Sequence, residues 1–327
     1  MSKSEFQLIE AYFSDPTPVS RDDVILGIGD DCAIVAPRKQ SQLAVSIDTL
    51  ISGVHFPHNT SPDAIAYKAL AVNLSDLAAM GADPAWFTLS LSLPETLPSF
   101  SREAWLAQFS SALFSLAQQY NIQLIGGDTT KGSLSITIQV TGYLPPDAQM
   151  KRAGAQVDDL IVLTGVLGAA AIGLDIALQQ NESSYACLSE AEKASALKAL
   201  NYPIPRVEEG LSLQGIAHAA LDLSDGLLSD LGHILTASHV GAEISLEKIP
   251  LATSLGCLDK NTAWEKALTG GDDYELCFTI AAADWPELEN KYPHFTVIGL
   301  ICAEQGLRLL DQEKEIKLSI RGYDHFG

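Results

Sequence analysis

No apolar stretch in this chain of 327 residues approaches the roughly 18 needed to cross a bilayer. The opening "MSKSEFQLIEAYF" lacks the continuous apolar core of a secretory leader, so the cytoplasm is the expected location and a membrane is not an expected partner. Cysteine is sparse. Cys32, Cys187, Cys257, Cys277 and Cys302 are odd in number and form no C-x-x-C pair, which argues against a disulfide frame or a zinc site and predicts reduced core thiols. Basic residues are also few: 20 Lys and Arg stand against 41 Asp and Glu, a net charge of −21. Such a surface repels phosphate backbones and excludes nucleic acid and anionic lipid as natural partners. A smaller phosphate ligand would need a cation to screen its approach.

Several phosphate and hydrolase signatures are missing as well. There is no G-x-x-x-x-G-K-[ST], no G-x-S-x-G, no H-E-x-x-H and no H-R-D with D-F-G, and "GIGDDC" lacks the third glycine of a dinucleotide fingerprint. A phosphate-handling enzyme with this sequence needs a different scaffold.

What is present is a globular α/β chain, 47% hydrophobic and long enough for about two domains. "LAVSID", "SITIQVTGYL", "LIVLTG" and "AALDLSDG" read as strands or strand and turn. "DAIAYKALAVNLSDLAAMG", "REAWLAQFSSALFSLAQQY", "AAAIGLDIALQQ", "LSEAEKASALKAL" and "LLSDLGHILTAS" carry helical periodicity. The polar, turn-rich stretch 144–159 predicts a boundary, giving an N-terminal domain over 1–147 and a C-terminal α/β domain over 148–327.

The carboxylates recur in one kind of place. Asp30 and Asp31 follow glycines beside what reads as a core strand, and burial without a counter-charge would be costly there. Ile65, Ala69, Val72 and Asp76 share one helix face, so Asp76 points inward, as a ligand or as half of a helix-end ion pair. Asp48 reads as ending its strand, Asp128 follows "LIGG", Asp222 and Asp225 lie in "LDLSDG", and Asp272 and Asp273 in "GGDDYEL". Strand ends of this kind bind ligands in open α/β sheets. Oxygen donors without a His or Cys cluster suit a hard cation. Magnesium takes one or two carboxylates and fills its remaining positions with water and substrate phosphates, which matches scattered Asp residues meeting a nucleotide.

"GIGDDCA", "VSIDTLISGVHF", "KALAVNLSDLAAMGADP", "LIGGDTTKG", "LDLSDGLLSDLGH", "GGDDYELCF" and the final "GYDHF" together resemble the thiamine-monophosphate kinases, in order and along the whole chain. The resemblance implies a two-domain PurM-like fold of α/β (α+β) class, in which N-terminal sheets of two chains close a β-barrel in a homodimer. It also implies ATP-dependent phosphorylation of thiamine monophosphate to thiamine diphosphate, with ATP as co-substrate and several Mg2+ ions. By the same resemblance Asp31, Ser46, Ile47, Asp48, Asp76, Asp128, Asp222 and Asp225 hold metal positions. Gly127, Asp128, Arg152 and Ser224 hold nucleotide positions, and His55, Asp272 and Tyr323 face thiamine monophosphate.

Two positions depart from the family pattern: Ile47 stands where Thr is frequent and can offer only its carbonyl, and Asp272 stands where Glu is frequent. Arg152 could grip phosphate bidentately or form a surface ion pair, and His55 and Tyr323 could equally be structural. The acceptor is an ionised phosphate near neutral pH, so no catalytic base is nominated. Cys32 beside two carboxylates is a poor thiolate, which disfavours a selenophosphate synthetase of the same superfamily.

Overall fold

The computed structural model describes residues 5–14, 18–97, 100–180 and 185–316. The chain divides into two compact units, one of Met1–Leu77 and Ala82–Asp147, the other of Ala78–Gly81 and Ala148–Gly327.

In the first unit, α1 (Glu5–Ile9) and a π-helical turn (Glu10–Ser14) precede β1 (Val24–Leu26), β2 (Ile34–Val35), β3 (Gln42–Ile51), α2 (Pro62–Met80), β4 (Asp83–Leu93), α3 (Arg102–Gln119), β5 (Gln123–Lys131) and β6 (Ser135–Leu144). The strands β3, β6, β4 and β5 form a four-stranded sheet in that order, antiparallel except for the β4–β5 pair. Side chains alternate faces along a strand, and directly paired residues share a face. One face carries the rows Leu50–Ile136–Leu91 and Ser46–Val140–Phe87, whose apolar members are fully or nearly fully buried. On the other face, Thr49, Thr137, Ser90 and Asp128 line up across all four strands. The Thr49 and Thr137 hydroxyls there lie 2.8 Å apart.

In the second unit, β7 (Leu160–Leu163), α4 (Ala169–Ala177), α5 (Glu190–Asn201), α6 (Val207–Ser212), β8 (Ala219–Asp222), α7 (Leu227–Ser238), β9 (Gly241–Ser245), α8 (Lys260–Thr269), β10 (Leu276–Ile280), α9 (Trp285–Lys291), β11 (Thr296–Cys302), β12 (Gly306–Asp311) and β13 (Lys314–Ile316) follow one another. Seven strands form one sheet in the order β13-β12-β9-β11-β7-β10-β8. Its core gathers Ile161, Leu163, Leu221, Leu231, Ile234 and Trp264 among others. Helix starts obey local chemistry: Ser189 and Glu192 form a reciprocal capping box on α5, and Asp259 caps α8.

Three expectations are corrected. The segment around Asp30 and Asp31 is no core strand. β1 and β2 make a short two-stranded ribbon that turns Val24 and Val35 onto Trp86 and Tyr143, while Ile25, Ile34 and both aspartates are exposed. Asp48 and Asp128 do not end their strands. Pairing continues past them, from Asp48 to Ile51↔Ser135 and from Asp128 to Lys131↔Leu93, because the following Thr residues keep the ladder going. Finally, the cysteines are not all reduced core thiols. Cys187 and Cys257 form a disulfide across a sequence separation of 70, Cys277 is buried, and Cys32 is exposed. The pairing joins residues on separate loops that only the tertiary fold brings together.

Candidate active site

In the first unit the inward carboxylate of α2 meets the edge strand. Ser46 Oγ donates to Asp76 Oδ2 at 2.5 Å, and Asp48, two residues along β3, faces the same side. Burial, with the Asp76 charge alongside, pushes the Asp48 carboxyl up to about 6. The helix periodicity that turned Asp76 inward thus has its counterpart in the strand alternation that turns Ser46 and Asp48 toward it. Ile47 points to the opposite face and is 61% exposed. His55 closes the end of β3: its Nδ1 accepts the Ile51 N–H at 3.1 Å, which leaves the ring proton on Nε2. Its carbonyl accepts from the buried Lys68 ammonium at 3.5 Å.

Gly127 and Asp128 lie on β5, at the other edge of the same sheet from β3. Two strands intervene, so Asp48 and Asp128 stand roughly 14 Å apart at about 4.8 Å per strand step. They also face opposite sides, since Asp128 shares its row with Thr49 and Asp48 does not. Gly127 has a backbone reason of its own, because a Cβ there would sit 1.9 Å from the Leu89 carbonyl oxygen. Beside it, Ile9, Phe13, Ile28, Leu89 and Leu124 line a small apolar cleft that opens onto Asp128 and Thr129. Asp31 is exposed on the β1–β2 ribbon, where its N–H donates to Asp30 Oδ1 at 2.8 Å.

In the second unit two loops extend the β8–β10 ladder beyond Asp222, which pairs with Leu276. The Asp272 N–H donates to the Ser224 carbonyl at 2.9 Å and the Tyr274 N–H to the Leu223 carbonyl at 2.8 Å, while the Leu223 N–H donates to the Glu275 carbonyl at 2.8 Å. Asp222, Ser224, Asp225 and Asp272 are therefore brought together. Asp272 takes a positive φ of 68° and accepts the Tyr274 hydroxyl at 3.2 Å. Arg152 is exposed on a segment whose backbone is tied to Ser238, and among the described residues its guanidinium has no ion-pair partner. Tyr323 lies outside the described residues.

Asp230 and Glu275 are not singled out by the sequence, and Asp273 is singled out there without a partner. Asp230 is a buried carboxylate whose Oδ2 accepts the Asp225 N–H at 3.0 Å and which the Ser224 and Gly226 N–H groups also approach. Its place in the first turn of a helix after "LSDG" was the available signal. Asp273 accepts the Gly168 N–H with both oxygens, at 3.0 and 2.9 Å. Glu275, buried, takes Thr164 Oγ1 at 2.6 Å and a two-pronged grip from Arg206.

Residues 29–144 match the family described as AIR synthase related protein, N-terminal domain, and residues 156–312 match its C-terminal domain. Thiamine-monophosphate kinase of Escherichia coli (strain K12) is 46% identical to this chain, over 100% of this chain and 99% of its own length. The chain belongs to the thiamine-monophosphate kinase family. The crystal structure of the thiamine-monophosphate kinase from Stenotrophomonas maltophilia K279a has the same fold, with a TM-score of 0.83 at 45% identity over 94% of this chain and 97% of its own. A solved complex described as AaThiL with AMPPCP and TMP matches with a TM-score of 0.77 at 27% identity, over 100% of this chain and 99% of that one. The two-domain PurM-like architecture implied by the motifs is thus the fold of this family member.

Among the described residues, no three His, Cys, Asp or Glu side chains close into a metal cage. The donors that do converge, Ser46, Asp48 and Asp76, are all oxygen and carry a charge that burial disfavours. Such a set fits a hard cation completed by water and phosphate.

Proposed function

We propose that this protein transfers the γ-phosphoryl group of ATP to thiamine monophosphate, giving thiamine diphosphate and ADP. The reading rests above all on full-length identity to kinases of that name. A family structure holding AMPPCP and TMP supports the same pair of ligands. Asp31, Asp48, Asp76, Asp128, Asp222 and Asp225 are the carboxylates that hold Mg2+, with Ser46 and the Ile47 carbonyl beside them. Gly127, Asp128, Arg152 and Ser224 hold the nucleotide, and His55, Asp272 and Tyr323 the acceptor.

Bound magnesium supplies charge neutralisation between two phosphates that otherwise repel. The chain's own residues align them. Asp48 and Asp76 supply negative charge on the covered side of β3, and His55 offers an Nε2–H toward the acceptor. Arg152 adds the planar donor fork that suits phosphate oxygens. The acceptor phosphate is already ionised, so no side chain has to remove a proton from it.

The working form is a homodimer. Leu43, Val45, Ile47 and Ile51 put an apolar row on an exposed sheet edge, with Val45 and Ile47 each 61% exposed. A bare apolar edge strand of this kind invites pairing with a second copy. The wide separation of Asp48 from Asp128 gives such pairing a chemical purpose, since a second copy can bring its opposite edge to the first. The protein has no helix, among the described residues, long and apolar enough to cross a membrane, and the cytoplasm, where ATP is plentiful, is its place of action. Measuring ADP release with thiamine monophosphate, aminoimidazole ribonucleotide precursors and selenide as alternative acceptors tests the assignment. Turnover with thiamine monophosphate alone supports it, and turnover with another acceptor only would reject it.

A further inference from the structure

Two carboxylates in the second unit, Asp230 buried and Asp273 half-buried, are assigned no ligand of their own, yet both grip backbone amides at or beside the loops that carry ligand positions. Asp230, 4% exposed, points back from α7 at the 224–226 turn, where its Oδ2 accepts the Asp225 N–H at 3.0 Å and the Ser224 and Gly226 N–H groups approach it. A carboxylate that takes successive backbone donors fixes the local φ and ψ angles of all the residues involved. Asp273 points the other way from its loop and takes the Gly168 N–H with both oxygens, clamping the 270–274 loop to the start of α4. α4 has no side-chain cap of its own at Gly168, so the loop carboxylate supplies the acceptor that this helix end lacks.

Between these anchors the two loops are joined directly. Three backbone hydrogen bonds run between 223–224 and 272–275. A Cβ on Gly271 would lie 2.4 Å from the Ser224 carbonyl, which shows how closely the loops approach. Asp272 and Tyr274 are held at positive φ, 68° and 50°, a conformation that needs its surroundings to maintain it.

We infer that Asp230 and Asp273 are positioning residues that lock the 223–226 turn and the 270–274 loop into one platform, coupling the nucleotide-side Ser224 and Asp225 to the acceptor-side Asp272. The inference rests on the proposed kinase reading for what each side holds. Its structural content, that the loops move as a unit, does not.

A rigid platform has a consequence that two merely structural residues lack: disturbing either anchor should disturb both substrates. Asp230→Asn and Asp273→Asn each keep one acceptor oxygen but turn an amide N–H2 toward backbone donors. Each variant is expected to raise the KM for ATP and for thiamine monophosphate together, and to lower kcat/KM at least tenfold, with circular dichroism unchanged. Amide hydrogen exchange, read without substrate, should quicken at Asp272 and Tyr274 in the Asp230 variant and at Ser224 and Asp225 in the Asp273 variant. Asp230→Glu, which retains the charge but displaces it, serves if the amide variant does not fold, and is expected to show the same double effect.

Folded variants whose kinetic and exchange changes stay on their own loop, or that match wild type, would overturn the inference. So would loss of fold in all three, which would make both carboxylates simply structural. Wild-type protein that ignores thiamine monophosphate would sink the kinase reading, while the exchange pattern would still decide whether the loops form one platform.

Discussion

Ser46 donates its hydroxyl proton to Asp76 across 2.5 Å, tying the middle of β3 to α2 with Asp48 close enough to feel the same charge. The Asp48 carboxyl is consequently pushed up to about 6 by burial and by Asp76, above its ordinary 3.8. A raised carboxyl favours the protonated folded state. Its contribution is complete below about pH 4 and is lost as pH rises through 6, at most about 3 kcal/mol at roughly 1.4 kcal/mol per pKa unit. Without metal, thermal unfolding should therefore show Asp48→Asn gaining stability on wild type as pH rises from 5 to 7.5. Magnesium should raise the wild-type Tm more at pH 7.5 than at pH 5, and Asp48→Asn or Asp76→Asn should lose most of that shift and roughly 100-fold in turnover. A variant whose pH and magnesium profiles overlay wild type would remove Asp48 from the metal site.

The exposed β3 row leads to a second expectation. Ile47→Glu places a charge among Leu43, Val45 and Ile51 on a surface that costs the isolated chain little. Light scattering should report a dimer for wild type and a monomer for the variant at micromolar concentration, with activity falling alongside. A variant that stays dimeric would move the interface elsewhere.

Gly127 separates two explanations for one glycine. Adding a methyl group 1.9 Å from the Leu89 carbonyl forces the β4–β5 pair apart, so Gly127→Ala should cost about 1 to 3 kcal/mol by thermal unfolding whether or not ATP is present. An unchanged Tm with a raised KM for ATP would instead mark Gly127 as a nucleotide contact alone.

The Cys187–Cys257 bond closes a long loop, and such a link contributes about 2 to 4 kcal/mol. Alkylation of the unfolded, unreduced protein should label Cys32, Cys277 and Cys302 only, and reduction should lower the Tm. Cys277 itself should resist alkylation while folded, because burial pushes its thiol up and out of reach. Full labelling of all five before reduction would contradict the bond.

Periodicity made much of this fold legible. The helical pattern of "LLSDLGHILTAS" coincides with α7 and "SITIQVTGYL" with β6, and the i, i+4 spacing alone turned Asp76 inward. Local pattern says nothing of where a strand stops when the residues after it still favour pairing, so it places Asp48 and Asp128 at strand ends although the ladder runs on past both. Sheet order is a long-range property, and with it went the discovery that β3 and β5 are opposite edges. Asp230 was hidden for a further reason: its partners are backbone amides, which carry no sequence signature. The Cys187–Cys257 pair joins loops whose approach depends on the packing of the whole second unit.

The most direct test of the central claim follows phosphorus itself. Phosphorus NMR of the protein with ATP, Mg2+ and thiamine monophosphate should show the monophosphate singlet replaced by the paired doublets of thiamine diphosphate, one for each ADP formed, and no free inorganic phosphate. ADP accompanied by inorganic phosphate, with the monophosphate signal intact, would contradict it and leave an ATP hydrolase in its place.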